Sequence, residues 1–184
     1  RFEDLRTEWH DRPVVALNGK RTEEKRREVH NNEPLPALSV MYHVSDAWKL
    51  FANYETSFGS LQYFQLGQGG TGDQTANGLN PEKAKTYEVG TRYNDSVWGG
   101  EVTLFYIDFS DELQYVSNDV GWTNLGATKH SGIEASAHYD LSNLDPRLDG
   151  LTANAGFTYT KATSEGDVPF KGRDLPLYSR QVAT

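Results

Sequence analysis

The residue types that usually carry catalysis or metal binding are scattered through this sequence. Cysteine is absent from the 184 residues, so the chain has neither a thiol nucleophile nor a disulfide framework. The carboxylates Asp108, Asp111 and Glu112 lie close together but lack the spacing of a calcium-binding loop. The five histidines also lack the spacing of metal ligands: His10, His30, His43, His130 and His138. The sequence therefore predicts a protein that is not an enzyme and that has no metal or cofactor of its own.

Two segments superficially resemble ligand-binding motifs. Residues 67–78 are rich in glycine, but the lysine and hydroxyl residue that close a phosphate-binding loop are missing. Residues 20–28 are rich in lysine and arginine, yet their glutamates cancel most of that charge, and the whole chain has a net charge of −8. We therefore interpret both segments as loops and predict no nucleic-acid partner.

The elements that position these side chains show a period of two residues. Between residues 86 and 94, Tyr87, Val89, Thr91 and Tyr93 alternate with polar residues or glycine. Such alternation is typical of a strand with one apolar and one polar face. Further strands are predicted at about 1–11, 38–44, 48–58, 98–115, 133–141, 151–160 and from 177 onward. The chain is therefore predicted to be all-β, an antiparallel sheet of about eight strands.

The connections between these strands alternate in length. Long connections are predicted at residues 12–34, 59–84, 116–128 and 162–176, and short ones at 45–47, 94–97 and 142–150. Outer-membrane barrels have short turns on the periplasmic side and long loops outside the cell, whereas a soluble sandwich has no reason to keep this order. The alternation therefore predicts a barrel wall whose long loops are external.

The apolar face of residues 48–58 begins with Trp48 and ends with Phe58. Ten strand residues tilted by about 45° cover roughly 23 Å of membrane normal, close to the apolar band of about 25 Å between the aromatic girdles of a barrel. Small residues such as Ala153 and Ala155 suit a lipid-facing surface but would fill a soluble core poorly. These features favour a transmembrane β-barrel. We expect lipid contact from Tyr87, Val89, Tyr93 and Trp98, and a lumenal position for Glu88 and Arg92.

A wall of about eight strands has two unpaired edges unless it closes on itself. The first predicted strand has no segment before it, and the last breaks off at Thr184 in the middle of its pattern. We therefore expect a contiguous slice of a larger barrel. Two alternatives stay open: a small eight-stranded outer-membrane barrel with an adhesive or structural role, and a soluble β-sandwich that binds carbohydrate.

Four segments resemble the barrel of TonB-dependent outer-membrane receptors. The pair Pro81-Glu82 leads into a strand that reads Tyr-Glu-x-Gly from Tyr87, and residues 48–58, 102–109 and 124–134 continue the pattern in the family's order. The resemblance covers nearly the whole chain. It is strongest to the family members that take up ferric citrate, the iron(III) dicitrate complex.

The resemblance implies a barrel of about 22 strands in the bacterial outer membrane, plugged by an N-terminal domain. It also implies import of a ferric chelate with energy from the TonB complex, which acts on the plug. Residues 1–184 would then be a partial barrel without the plug domain. The implied partners are the chelate, outer-membrane lipid and, through the absent plug, the TonB complex. Iron would arrive as a ferric citrate ligand and not as a cofactor.

The ligand implied by the resemblance is a small anion rich in oxygen, which calls for arginine and neutral hydrogen-bond donors. Gln114 lies where a predicted strand enters an external loop, so it is the first candidate for direct contact. The further candidates are Gln62, Gln65 and Gln68 in the long loop, and Arg173 and Lys171 in the last one. The glycines of 67–78 are implied as hinges of a loop that closes over the ligand.

Overall fold

The computed structural model describes residues 2–11, 25–62, 65, 79–117, 121–165, 172–175 and 180–184. Within these residues the strands are β1 Phe2–Asp11, β2 Lys25–Pro34, β3 Ala37–His43, β4 Trp48–Gly59, β5 Glu82–Asn94, β6 Trp98–Ser110, β7 Leu113–Ser117, β8 Gly121–Asn124, β9 Thr128–Asp140, β10 Thr152–Ser164 and β11 Gln181–Ala183. In the part of the chain that the structure describes, no helix is long and apolar enough to cross a membrane.

Seven strands form one sheet in the order β11-β10-β9-β6-β5-β4-β3. Every neighbouring pair in this sheet is antiparallel. The hairpins β1–β2 and β7–β8 are separate two-stranded sheets. The predicted all-β, antiparallel fold is confirmed.

The long connections leave the seven-stranded sheet from the same end of its strands. The strand ends lie level there, because the register pairs Gly59 with Glu82, Lys83 with Ser110, and Thr128 with both Phe109 and Ser164. We call this end of the strands the rim. The short connections, at residues 44–47, 95–97 and 141–151, all lie at the opposite end of the strands. The alternation of short and long connections in the sequence is therefore an alternation between the two ends of the strands in one sheet.

The turn at residues 95–97 is organised by one carboxylate. Asp95 Oδ1 accepts the backbone N–H groups of Val97 at 2.7 Å and Trp98 at 2.9 Å, and Oδ2 accepts the hydroxyl of Tyr93 at 2.8 Å. These bonds, first the one from Trp98, then those from Val97 and Tyr93, lower the pKa of Asp95 because they stabilise its ionised form. A carboxylate caps each of the two 3-10 turns of the connection 141–151 in the same way.

The two faces of the seven-stranded sheet differ in polarity. One of them, the apolar face, exposes large apolar side chains, among them Leu38 at 66%, Val89 at 53% and Leu104 at 52%. Among the residues whose side chains are described, three apolar ones are buried, and these are Leu61, Ala84 and Ala162. The sheet therefore has no hydrophobic core of its own. A soluble sandwich would cover this face with a second sheet, whereas a barrel wall presents such a face to lipid.

Aromatic side chains form two rows across the apolar face. Nearer the rim, the ring of Tyr87 lies between those of Tyr54 and Tyr106, with centroids 5.1 and 6.2 Å away. Nearer the short turns, Tyr93 and Trp98 stack with their centroids 4.5 Å apart. These rings add to the large apolar side chains that this face exposes.

The polar face carries ionic and amide contacts between strands. Arg92 Nε donates to Glu101 at 2.5 Å, and Asn53 Nδ2 donates to Glu88 at 3.0 Å. The predicted placement of Glu88 and Arg92 on the face opposite their apolar neighbours in β5 is confirmed. Their position in a lumen stays a prediction.

Two phenylalanine rings also lie on the polar face, each opposite a glycine of the neighbouring strand. Phe51 pairs with Gly90, and Phe105 pairs with Gly132. A Cβ atom at Gly132 would lie 2.6 Å from the Phe105 ring, so the ring occupies the space that a side chain would need. An aromatic ring laid over a strand glycine covers exposed backbone. These pairs explain why apolar residues interrupt the polar pattern of β4 and β6.

Four predicted boundaries need correction. Strand β10 runs to Ser164, inside the predicted loop 162–176. Lys25–Pro34 lies inside the predicted loop 12–34 but is strand β2, paired with β1 along its whole length. The hairpin β7–β8 reaches into the predicted loop 116–128, and β5 begins at Glu82, inside the predicted loop 59–84. These segments are largely polar, so they have no apolar alternation that marks them, but backbone pairing orders them all the same. The predicted start of the last strand at 177 lies outside the described residues.

Candidate functional site at the rim

Three segments that carry candidate residues begin at the rim, where β4, β6 and β10 end at Gly59, Ser110 and Ser164. Because these strand ends are level in the register, the segments that follow them share one end of the wall. This arrangement places the described candidates at the same end of the sheet: Gln62, Gln65, Gln114 and Arg173.

Gln114 lies on β7, just beyond a break in the sheet. Asp111 has a positive φ of 57°, which interrupts the β6–β9 ladder before pairing resumes in the hairpin β7–β8. In that hairpin Gln114 pairs with Thr123, and its side chain is half-buried. The predicted strand 98–115 is therefore interrupted, and Gln114 lies beyond the end of the wall, in a separate hairpin. Its contact with a ligand stays a prediction.

Gln62 and Gln65 belong to one small turn. The carboxamide oxygen of Gln65 accepts the backbone N–H of Gln62 at 2.7 Å, and the N–H of Gln65 donates to the carbonyl of Gln62 at 2.9 Å. Gln65 is only 6% exposed and follows the buried Leu61, whereas the side chain of Gln62 is exposed. Gln62 is therefore the more accessible candidate. Gln68 and the predicted hinge at 67–78 lie outside the described residues.

Arg173 is exposed beside the end of β10. Its carbonyl accepts the backbone N–H of Ser164 at 3.1 Å, and the adjacent Asp174 forms a bridge with Thr163. Asp174 also forms an ion pair with Arg180. Arg173 therefore brings a cation to the rim, while Lys171 lies outside the described residues.

A buried polar cluster lies directly beneath the hairpin β7–β8. The hydroxyl of Thr128 donates to Glu112 Oε2, and His130 Nε2 lies 3.2 Å from the same oxygen. Glu112, Thr128 and His130 are 7%, 0% and 5% exposed, and the ring of Phe109 packs 5.0 Å from that of His130. A buried carboxylate needs such partners, because its desolvation is costly without them. The cluster ties the start of β9 to the residue that precedes β7.

Sequence spacing gave no signal for this cluster. Glu112 precedes Thr128 by 16 residues and His130 by 18, a separation without a recognised motif. Only the β6–β9 pairing brings them together, since it sets Phe109 opposite Thr128.

Comparison with known proteins gives a consistent result. The sequence matches the family described as "TonB dependent receptor-like, beta-barrel" over residues 1–184. It is 26% identical over 160 residues to the ferric-pyoverdine BN7/BN8 receptor of Pseudomonas putida. The matched region covers 85% of this chain and 17% of that receptor.

Two solved structures are similar to the fold. The ferric citrate transporter FecA in its unliganded form matches with a TM-score of 0.67 and 36% identity, over 91% of this chain and 24% of that one. The ferric yersiniabactin uptake receptor FyuA from Yersinia pestis shares the fold with a TM-score of 0.65 and 19% identity, over 90% and 24% of the two chains. The chain spans about a quarter or less of the length of each of these three proteins.

Proposed function

Because this chain belongs to the β-barrel family of TonB-dependent receptors, we propose that it forms part of the wall of a receptor that imports a ferric chelate across the bacterial outer membrane. The observation that carries the proposal is the family match over residues 1–184. The exposed apolar face and the gathering of long connections at the rim support it, because a barrel wall needs both. Family membership favours this function over a carbohydrate-binding sandwich or a small adhesive barrel.

In this proposal the apolar face contacts outer-membrane lipid and the rim faces the outside of the cell. The rim segments take the chelate, and the TonB complex supplies the energy for import. We assign the contact with TonB to the family's plug domain and to no residue of 1–184. The iron is cargo, carried within its chelate.

Ferric citrate is the chelate that we propose. It is supported by the 36% identity to the ferric citrate transporter FecA, compared with 26% to the ferric-pyoverdine receptor. The rim residues also fit a compact anion, because Arg173 offers positive charge and Gln114 a neutral donor. Gln62 is the second neutral donor of the proposed site.

The test measures binding of ferric citrate to the receptor expressed from its complete gene, and uptake of iron supplied as ferric citrate. Gln114→Ala is expected to weaken binding by about tenfold or more, since a hydrogen bond to a charged partner contributes about 1.5–3 kcal/mol and 1.4 kcal/mol corresponds to a factor of ten. Gln181→Ala, an exposed glutamine of β11, is the matched control and should bind as wild type does.

The outcomes separate the ligand from the residue. A wild-type receptor that binds ferric pyoverdine but not ferric citrate would refute the proposed chelate. Equal affinities of the two glutamine variants, with ferric citrate bound, would instead remove Gln114 from the site.

A further inference from the structure

Asn124, the last residue of β8, joins three parts of the rim through one carboxamide. Its Nδ2 donates to the carbonyl of Asn80 at 2.9 Å and to the carbonyl of Asp111 at 2.6 Å. Its Oδ1 accepts the backbone N–H of Asn80 at 2.8 Å. Both N–H groups and the oxygen of the side chain are therefore engaged, each with backbone.

These bonds lie where the sheet ladder is interrupted. Regular pairing of β6 with β9 ends at Phe109 and Thr128, and the hairpin β7–β8 resumes with Leu113 opposite Asn124. Between the two ladders, Asp111 has a positive φ and the backbone is joined through Glu112, which donates to Gly126 at 3.2 Å and accepts from Leu125 at 2.8 Å.

A second side chain holds the same hairpin from the side of β5. Glu82 Oε2 accepts the backbone N–H of Leu113, the first residue of β7, at 3.1 Å. Asn80 and Glu82 flank Pro81, so both contacts come from the short stretch that leads into β5. The hairpin is thus fastened at its base to a strand that is not its neighbour in sequence.

We propose that Asn124 is a positioning residue that fixes the direction in which the hairpin β7–β8, and with it Gln114, leaves the wall. Gln114 pairs with Thr123, the residue before Asn124, so a tilt at Asn124 moves the Gln114 side chain directly. This inference rests on the proposed function, because it assigns the chelate contact to Gln114.

The side chain of Asn80 provides the matched control. It makes one long contact, from Nδ2 to Asp111 Oδ1 at 3.4 Å, whereas the backbone of Asn80 makes the two bonds to Asn124. Asn80→Ala therefore keeps the three bonds of the Asn124 side chain, and Asn124→Ala removes them. Asn124→Ser keeps a hydroxyl that can donate one hydrogen bond and accept another, and it serves as a milder second variant if Asn124→Ala does not fold.

The first measurement is amide hydrogen exchange in the complete receptor without ligand. In Asn124→Ala, the amides of Leu113–Ser117 and Gly121–Asn124 should exchange about tenfold faster than in wild type or in Asn80→Ala, and those of β5 and β9 should be unchanged. Asn124→Ser should fall in between. Unchanged exchange in the hairpin, or equal acceleration throughout the barrel, would overturn the proposal.

The second measurement is a double-mutant cycle on ferric citrate affinity. If Asn124 acts through Gln114, Asn124→Ala weakens binding in the wild-type background but changes it less than about twofold in Gln114→Ala. Additive losses would overturn the positioning role even if exchange is accelerated. A wild-type receptor that does not bind ferric citrate would refute the proposed chelate, while the exchange experiment would still decide whether Asn124 orders the hairpin.

Discussion

The ring of Phe51 lies over Gly90 on the neighbouring strand, so closely that a Cβ atom at Gly90 would come within 2.3 Å of the ring carbon Cζ. The same Cβ would lie 2.7 Å from the carbonyl oxygen of Val102, which belongs to the backbone of the next strand. The ring can swing away, but the carbonyl can move only with its strand. A Cβ atom at position 90 would therefore clash with both a side chain and a backbone atom.

Gly90→Ala is therefore expected to destabilise the wall by roughly 1–3 kcal/mol, the usual cost of forcing extra atoms into a packed site. The measurement is urea unfolding of the receptor folded in lipid vesicles. Gly156→Ala is the control on the same face, because its Cβ would meet only the side-chain hydroxyl of Thr184, at 2.9 Å. Equal stability of the two variants would contradict the packing of Phe51 on Gly90.

Ala135 and Ser136 are small neighbours in β9 that lie on opposite faces. Ala135 belongs to the apolar face, where the register sets it between Val102 and Phe157. If that face contacts lipid, Ala135→Lys should cost about 2–4 kcal/mol, since it carries a charge into the hydrocarbon. Ser136→Lys, on the polar face, should change stability by less than about 1 kcal/mol. Unfolding in vesicles checks both variants, and a larger loss from Ser136→Lys would reverse the assigned faces.

Asp95→Asn should destabilise the 95–97 turn in a manner that depends on pH. The pKa of Asp95 is lower in the folded state, so ionisation stabilises folding above the ordinary aspartate pKa of about 3.9. That contribution is lost as the pH falls from about 4 through the lower folded-state pKa. Wild type should therefore melt at a higher temperature than Asp95→Asn at pH 7, and the gap should narrow towards pH 3. Asp46→Asn, an exposed carboxylate of the neighbouring short turn, is the control; a gap independent of pH would contradict the argument.

Thr128→Val tests the buried cluster beneath the hairpin. Valine fills the same volume but cannot donate to Glu112, so the buried carboxylate loses a partner and stability should fall by roughly 1–3 kcal/mol. Thr152→Val, at the exposed start of β10, makes the same chemical change without this cost. Denaturant midpoints of the two variants give the comparison. A midpoint of Thr128→Val equal to that of Thr152→Val would show that the bond from Thr128 to Glu112 does not stabilise the wall.

The strands of the main sheet could be predicted because each has one face that must avoid water. Alternation in β5, β6, β9 and β10 therefore indicated both the strand and its faces. Strand β2 has no such signal: its Lys25–Pro34 sequence is mostly charged or polar, and its order comes from backbone pairing with β1. The place of Phe51 on the polar face has no explanation in the sequence either, since the glycine that accommodates it is 39 residues away in sequence and opposite it in the sheet.

The place of the candidate residues in the fold could be predicted, but not the contacts around them. The lengths of the strands and connections are enough to predict that Gln114 lies at the rim. The bonds that hold it could not be predicted, because Asn80 and Asn124 are 44 residues apart and meet only through the pairing of β5, β6 and β9. The burial of Gln65 was equally invisible, since a glutamine in a polar segment carries no mark of facing inward.

The placement of the short turns and the rim at opposite ends of the strands has a consequence for how the wall folds. At the short turns, partners such as Asp95 and Trp98 are 3 residues apart, so closing them costs little chain entropy. At the rim, Asn124 and Asn80 are 44 residues apart and can meet only after three strands have paired. We therefore expect each hairpin to zip from its tight turn towards the rim. The bonds around Gln114 then form last. Because closing them costs more chain entropy than closing the tight turns, we also expect them to be the first to break when the native wall fluctuates.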